Sequence, residues 1–393
     1  MGSSRWSVFG VLSGVYFFLN LATFTSLGVV LYRIVGELHW SMTAAGFSFS
    51  LLGIACGLSS PLPALAMRLW GGRVTVVSGT VLLFAGFMIA SMANSIAEFY
   101  LAMVLVGCGF SFSGNVPGVE LIARSFPGTA PRYIGLYLML GGLGAALGPP
   151  IVDAIANYGG WRGHWRVMAA LAAALGGISL ALPHEGEATH APTEIGGVRD
   201  SIATPQFILV ACALTMTMAA LTTTSSVLVS HMVKLGATPS EAAYDFGLIA
   251  LSATLVKGVA GRLCEKLSAT TILSSGLLVL AVGCLLLAAA DQDWLRVTGA
   301  ATFGIGFGST YVAGTVFLIQ FFGAVTGARI LSMVWMFSTI AAAGPVAAGM
   351  IADATGSFAL IFRIYAGALV ILAAPAFSMG VGGRGGRQGG LLQ

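Results

Sequence analysis

His184–Ser201 reads HEGEATHAPTEIGGVRDS. It is the longest polar interval in a chain of 393 residues that is 57% hydrophobic and only 8% charged. Its Glu, Thr, Gly and Pro content offers too little apolar surface to offset the entropy of ordering, so a flexible linker is expected. Soluble domains carry about 25% charged residues, which excludes a water-soluble globule of this composition. On both sides stand apolar segments long enough to cross a bilayer, about 20 residues each. Six precede the interval and six follow it. The expected fold class is an all-α membrane protein with twelve transmembrane helices in two six-helix halves. Residues 1–183 make the first half, 184–204 a cytoplasmic linker and 205–381 the second half, and the glycine-rich tail 382–393 is expected to be disordered.

Basic residues orient the chain. Lys and Arg gather in short loops on the N-terminal side, among them Arg68, Arg73, Arg124, Arg132, Arg262 and Arg329. That bias predicts both termini in the cytoplasm. No basic stripe interleaved with aromatics is present, so nucleic acid is not expected as a partner. Cys56, Cys108, Cys212, Cys264 and Cys284 are scattered singly and read as packing residues. His184 and His190 lack a third ligand at useful spacing, so no metal is expected. Gly304, Gly306 and Gly308 sit within a span with no strand before them, which argues against a nucleotide loop. Such small residues instead let membrane helices approach closely. No cofactor is implied, and no nucleophile–base pair suggests an enzyme.

Charges inside spans are the remaining signal. Lys257 lies in the eighth, within LIALSATLVKGVAGRL (248–263), and the other two lysines, Lys234 and Lys266, sit at segment ends. An amine in hydrocarbon costs roughly 2.5–3.5 kcal/mol on insertion scales, so such residues tend to face a cavity. Two readings stand: a cation for an anionic substrate, or a lysine snorkelling toward the cytoplasmic surface. Glu120 precedes Arg124 by one turn and reads as an i,i+4 pair, with proton coupling as the alternative. Asp153 is expected to pair with Arg162 or Arg166 at the outer rim, and Asp353 is its counterpart near Arg363; both are gating or coupling candidates. Glu241 and Asp245 suit a helix N-terminus. His231 is an interfacial histidine or a proton sensor. Pro117 perturbs the turn that holds Asn115, and an irregular polar segment at bilayer depth is tolerated where it lines a cavity. Tyr311 is a comparable polar aromatic in the tenth span. Asn20, Thr23 and Phe24 share one face of the first span, as Trp335 and Ser338 do in the eleventh. The hydroxyl run Thr222–Ser226 has no carboxylate near it in sequence, which disfavours a sodium site.

Six spans, a polar linker and six more spans is the layout of the major facilitator superfamily. Pro63-Ala64-Leu65-Ala66-Met67-Arg68-Leu69-Trp70-Gly71-Gly72-Arg73 resembles its loop motif, with Leu65, Ala66 and Arg68 fitting directly and Met67 in place of the expected acid. Gly261-Arg262-Leu263-Cys264-Glu265-Lys266-Leu267 is the second half's equivalent. Gly148-Pro149 followed by Asp153 is echoed by Gly344-Pro345 followed by Asp353. Glu37-Leu38-His39-Trp40-Ser41, Ala123-Arg124-Ser125-Phe126-Pro127 and Gly258-Val259-Ala260-Gly261-Arg262-Leu263 are similar to segments of bacterial monocarboxylate-porter-like proteins, the monocarboxylate transporter and oxalate–formate antiporter group.

This resemblance implies a secondary transporter of a small organic monocarboxylate in a bacterial inner membrane, working by alternating access, with protons as a coupling ion. It implies a monomer whose partners are a small organic anion and the lipid bilayer. It places Lys257 where the group has a substrate-binding arginine, and Asn115 on the substrate side of the fourth span. Tyr311, Asn20, Phe24, Trp335 and Ser338 complete the expected wall. Ala253 stands where animal members carry an aspartate, so Lys257 itself is the expected proton carrier. An exporter of amphipathic compounds or another metabolite is the alternative within transport. A non-transporting membrane assembly protein is the alternative outside it.

Overall fold

In the computed structural model, residues 2–126, 129–183, 204–322, 334 and 338–386 are described, and among them there is no strand. The twelve expected passes are present. They are α1 Arg5–Leu38, α2 Met42–Ser59, α3 Leu62–Met92 and α4 Ile96–Ser125. Tyr133–Ser179 carries two passes, α5 and α6, separated at Gly160 with φ 65°. The second half has α7 Pro205–Lys234, α8 Pro239–Lys266, α9 Ala269–Ala288, α10 Asp293–Phe322, α11 Thr339–Thr355 and α12 Ala359–Gly386. The last helix runs past the expected boundary at 381. The linker 184–203 lies outside the described residues.

Odd-numbered helices run from the face carrying the N-terminus, the terminal face, to the opposite or far face, and even-numbered helices return. Lipid offers no partners for backbone groups, so the breaks within passes have particular causes. Gly71, with φ 82°, kinks the chain within α3 and divides its first nine residues from the rest of the pass. In α4 the helix is broken at Gly114 (φ −93°, ψ −132°), three residues before Pro117, whose ring would clash with the carbonyl of Ser113 in a continuous helix. The Gly114 carbonyl accepts a hydrogen bond from the Tyr137 hydroxyl at 3.0 Å. In α1 a π-turn over Leu21–Thr25 interrupts the α-helix. Across this turn Thr23 is buried and bonds back to the Leu19 carbonyl, while Asn20 and Phe24 stay partly exposed and Phe24 packs against Phe49 and Phe110.

The two halves meet through α1–α7, α2–α11 and α5–α8. Backbones touch there. A Cβ on Gly46 would stand 2.2 Å from the Pro345 carbonyl oxygen, and one on Gly349 would stand 2.4 Å from that of Met42. Both contacts lie toward the far face. On the terminal face, Met67 is buried among Val76, Leu121, Tyr137 and Leu182, so the loop position expected to hold an acid is part of an apolar cluster. Arg73 donates from Nε to the Leu182 carbonyl instead.

Ion pairs fix the far ends of each half. Arg162 pairs with Glu37 and covers the Trp161 ring at 4.0 Å. Arg33, not Arg162 or Arg166, is the partner of Asp153, at 2.6 Å. In the second half Arg296, which is buried, meets Asp245 at 2.6 Å, Asp293 at 3.2 Å and Glu241 at 3.8 Å. Asp245 is thus a buried ion-pair partner rather than a helix-end charge, while Glu241 does cap α8 in a box with Thr238. His231 is buried too; its Nε2 is 2.9 Å from the Leu287 carbonyl oxygen and its ring leans on Phe362, so it is a packing residue rather than an interfacial one.

Two expectations follow. Gly46→Val should lower the thermal unfolding midpoint in detergent, by an overpacking penalty of about 1–3 kcal/mol, whereas Gly36→Val, with open space around it, should not. Asp245→Ala should also destabilise, by less than the roughly 3–5 kcal/mol of a broken buried pair because Asp293 and Glu241 remain beside Arg296, and Asp245→Leu/Arg296→Met should recover much of the loss.

Candidate functional site

Close packing of α8 against α10 builds the site. A Cβ on Gly304 would lie 2.3 Å from the Ile249 carbonyl oxygen, and one on Gly308 2.6 Å from that of Ala253. Gly304 and Gly308 lie on one stripe of α10, and their absent side chains let α8 sit directly on it. Ala253, where a partner acid is expected in animal relatives, is buried in that contact. One turn further on, Lys257 of α8 comes to Phe307 and Tyr311 of α10. Its Nζ lies 4.9 Å from the Tyr311 ring centroid and 5.6 Å from that of Phe307. The side chain is half-buried, and among the described residues no carboxylate lies within ion-pair distance of it.

Cation–π contacts return roughly 0.5–2 kcal/mol, depending on desolvation. Burying the amine costs roughly 2.5–3.5 kcal/mol. The rings therefore offset only part of that cost.

The first half meets α8 one turn before this amine. Thr254, one turn before Lys257, fits against Gly142 of α5, where a Cβ would meet its Oγ1 at 2.7 Å. Tyr16 of α1 packs its ring on Gly141 of α5, beside that contact, and stacks on Tyr137 at 4.4 Å between centroids. Asn20 donates to the Tyr16 carbonyl at 2.8 Å and approaches Gly141 of α5. Lys257, Tyr311 and Asn20 are thus gathered around the contact between the halves, with Tyr16, Phe307 and Thr254 added to them. Phe24 is near this surface but is committed to an aromatic cluster of its own half. Asn115 opens the lower segment of α4, and its side chain is outside the described residues. Trp335 lies outside them as well, and so does the side chain of Ser338, whose backbone begins the short turn Ser338–Ala342.

The charged candidates are elsewhere. Glu120 pairs with Arg124 at the terminal end of α4. Asp153 and Asp353 lie at the far face. Asp153 is bonded to Arg33, Asn157 and Ser240, and Asp353 to the start of α2. Among the described residues no group of three metal-ligating side chains occurs.

Sequence alone did not bring out Tyr16 or Phe307. Their signal is the spacing of Tyr16 to Asn20 and of Phe307 to Tyr311, one helical turn in each case, which puts each ring beside a residue already singled out.

Comparisons agree with this architecture. The family model described as Major Facilitator Superfamily matches residues 12–328. An uncharacterized transporter, YycB, of Bacillus subtilis (strain 168) is 33% identical over 163 residues, 40% of this chain and 39% of that protein. A 2-nitroimidazole transporter of Escherichia coli (strain K12) is 32% identical over 142 residues, 36% of each chain. The chain therefore matches well under half the length of these two relatives. Monocarboxylate transporter 11 of Mus musculus is 26% identical over 378 residues, covering 88% of this chain and 81% of that protein. Among solved structures, the nucleoside transporter NupG superposes with TM-score 0.76 at 16% identity, covering 95% of this chain and 98% of that one, a likeness of fold alone. The family match runs from α1 through α10, and the chain therefore belongs to the Major Facilitator Superfamily.

Proposed function

We propose that this protein is a secondary active transporter that carries a small organic monocarboxylate across a bacterial inner membrane by alternating access. The single observation that carries this reading is the Lys257 amine, set against two aromatic rings of α10 one turn from the contact of α8 with α5, with no carboxylate within ion-pair distance among the described residues. A bound carboxylate supplies the missing charge. Tyr16, Asn20, Tyr311 and Thr254 give hydroxyl and amide groups around it, and Phe307 gives an apolar wall. The length-spanning similarity to monocarboxylate transporter 11 supports the same cargo class.

Orientation follows from the basic loops, which put the terminal face in the cytoplasm. The halves are packed together at the far face, so the far, outer side is the closed one. Coupling follows from charge balance. An anion and a proton crossing together carry no net charge, and with no acid one turn from Lys257, the amine is the group that takes up and releases that proton. The protein works as a monomer, because each chain contains both halves of the site.

A second reading has its own support. The surroundings of Lys257 are aromatic, and one relative is a 2-nitroimidazole transporter. On this reading the cargo is an amphipathic aromatic compound moved outward, and expression in a drug-sensitive strain raises resistance.

Right-side-out vesicles with an acid exterior separate the two. Labelled lactate or pyruvate should accumulate, and collapse of the pH gradient should abolish the accumulation. Uptake indifferent to the gradient removes proton coupling, and absence of uptake for all short monocarboxylates removes the cargo class. Lys257→Ala should lower kcat/KM by about tenfold to a hundredfold, the worth of a charge-assisted contact. Lys257→Arg should keep uptake with altered selectivity, because a guanidinium offers a planar fork where the amine offers a point charge.

A further inference from the structure

Two aspartates at the far face, one in each half, reach across to the same place on a helix of the other half. Asp353, at the end of α11, accepts hydrogen bonds from the backbone N–H of Met42 at 3.0 Å, the N–H of Thr43 at 2.9 Å and the Thr43 hydroxyl at 2.6 Å. Asp153, near the end of α5, accepts from the Ser240 hydroxyl at 2.6 Å. Thr43 is the second residue of α2, after N-cap Ser41, and Ser240 is the second residue of α8, after N-cap Thr238. The two contacts are therefore equivalent: a carboxylate of one half against the hydroxyl in the first turn of a helix of the other. Pro239 has no N–H, so α8 cannot add the backbone bond that Met42 adds in α2. The positive end of each helix favours the carboxylate.

We propose that Asp153 and Asp353 are paired latches that hold the far face of the transporter closed, and so set the balance between its two access states. For cargo to pass the far face, α2 must leave α11 and α8 must leave α5. All four bonds then break, since each joins one half to the other. The latches release without leaving buried charge. Asp153 keeps Arg33 at 2.6 Å and Asn157 at 3.0 Å, both within its own half. Asp353 is exposed and Met42 and Thr43 are partly so, so water replaces the lost bonds. A cleft of about 280 Å³ lined by Asp153, Asn157, Ser240 and Tyr244 already separates α5 from α8 beside the first latch. Asp153 and Asp353 are positioning residues in this scheme, acting on the cargo path through the helices they hold. The proposal deepens the alternating-access reading but does not depend on the cargo.

The test is a distance measurement on purified protein without cargo. Spin labels at Tyr158→Cys and Trp294→Cys, exposed far-face positions on opposite halves, are read in a Cys212→Ser background. Thr43→Val and Ser240→Ala remove latch hydroxyls while leaving both carboxylates and the Arg33 pair intact. Their combination, and Asp353→Ala, should raise the ratio of long-distance to short-distance population by about tenfold, with each single hydroxyl variant between it and the parent. Thr355→Val, whose hydroxyl bonds only to Ile351 and Ser357 of its own half, should leave the distribution unchanged. An unaltered distribution in Thr43→Val/Ser240→Ala and in Asp353→Ala overturns the proposal, as does a Thr355→Val shift equal to theirs. Because no cargo is present, a failure here is distinct from a failure to find monocarboxylate uptake.

Discussion

An amine placed in an apolar bundle, with no carboxylate within ion-pair distance among the described residues, is the constraint on which this structure turns. Two ring faces return less than the cost of desolvating the charge. The difference is tolerable only where something else meets the amine for part of the time, either water or an anion. Everything near Lys257 serves to keep that deficit in place. Gly304 and Gly308 seat α8 on α10, so that Phe307 and Tyr311 confront the amine, and buried Ala253 occupies the position from which an acid would have neutralised it.

The same economy runs through the rest of the chain. Ion pairs join Arg33 to Asp153, Arg162 to Glu37, Arg124 to Glu120, and Arg296 to a buried aspartate and two further acids. All but the Arg124 pair lie toward the far face, where they brace the ends of each half. Several contacts between the halves set glycine against backbone, at Gly28, Gly46, Gly247 and Gly349, which leaves no side chain interlocked there and suits the proposed movement of the halves. The bonds that cross the far face end on helix N-termini that water can satisfy once they separate. Motion is then a matter of exchanging partners rather than of exposing unpaired groups.

Much of the fold was legible in the sequence because it follows from one-dimensional quantities. Segment length, apolar content and the polar interval at 184–201 are enough to give twelve helices in two halves. Lys257 was legible for the same reason, as a cation out of place along a single helix. Partnerships were not. Asp153 has arginines nearby in sequence at 162 and 166, yet the one that reaches it is Arg33, 120 residues away. Asp353 was matched with Arg363 on a neighbouring helix, but it caps a helix more than 300 positions earlier. His231 looked interfacial at a helix end and is buried under α9 and α12 instead. The π-turn at Leu21–Thr25 also escaped, since the i, i+3, i+4 rule that grouped Asn20, Thr23 and Phe24 assumes an uninterrupted α-helix. These misses share one cause: register between helices is set by three-dimensional packing, which spacing along the chain does not encode.

The most direct measurement is equilibrium binding of a labelled short-chain monocarboxylate to purified protein, comparing the wild type with Lys257→Gln, which keeps a polar side chain but removes the charge. The account predicts saturable binding by the wild type and loss of that binding in the variant, with the uncharged amide of the same acid failing to compete. Equal affinity in the two proteins, or competition by the amide as strong as by the acid, would contradict it.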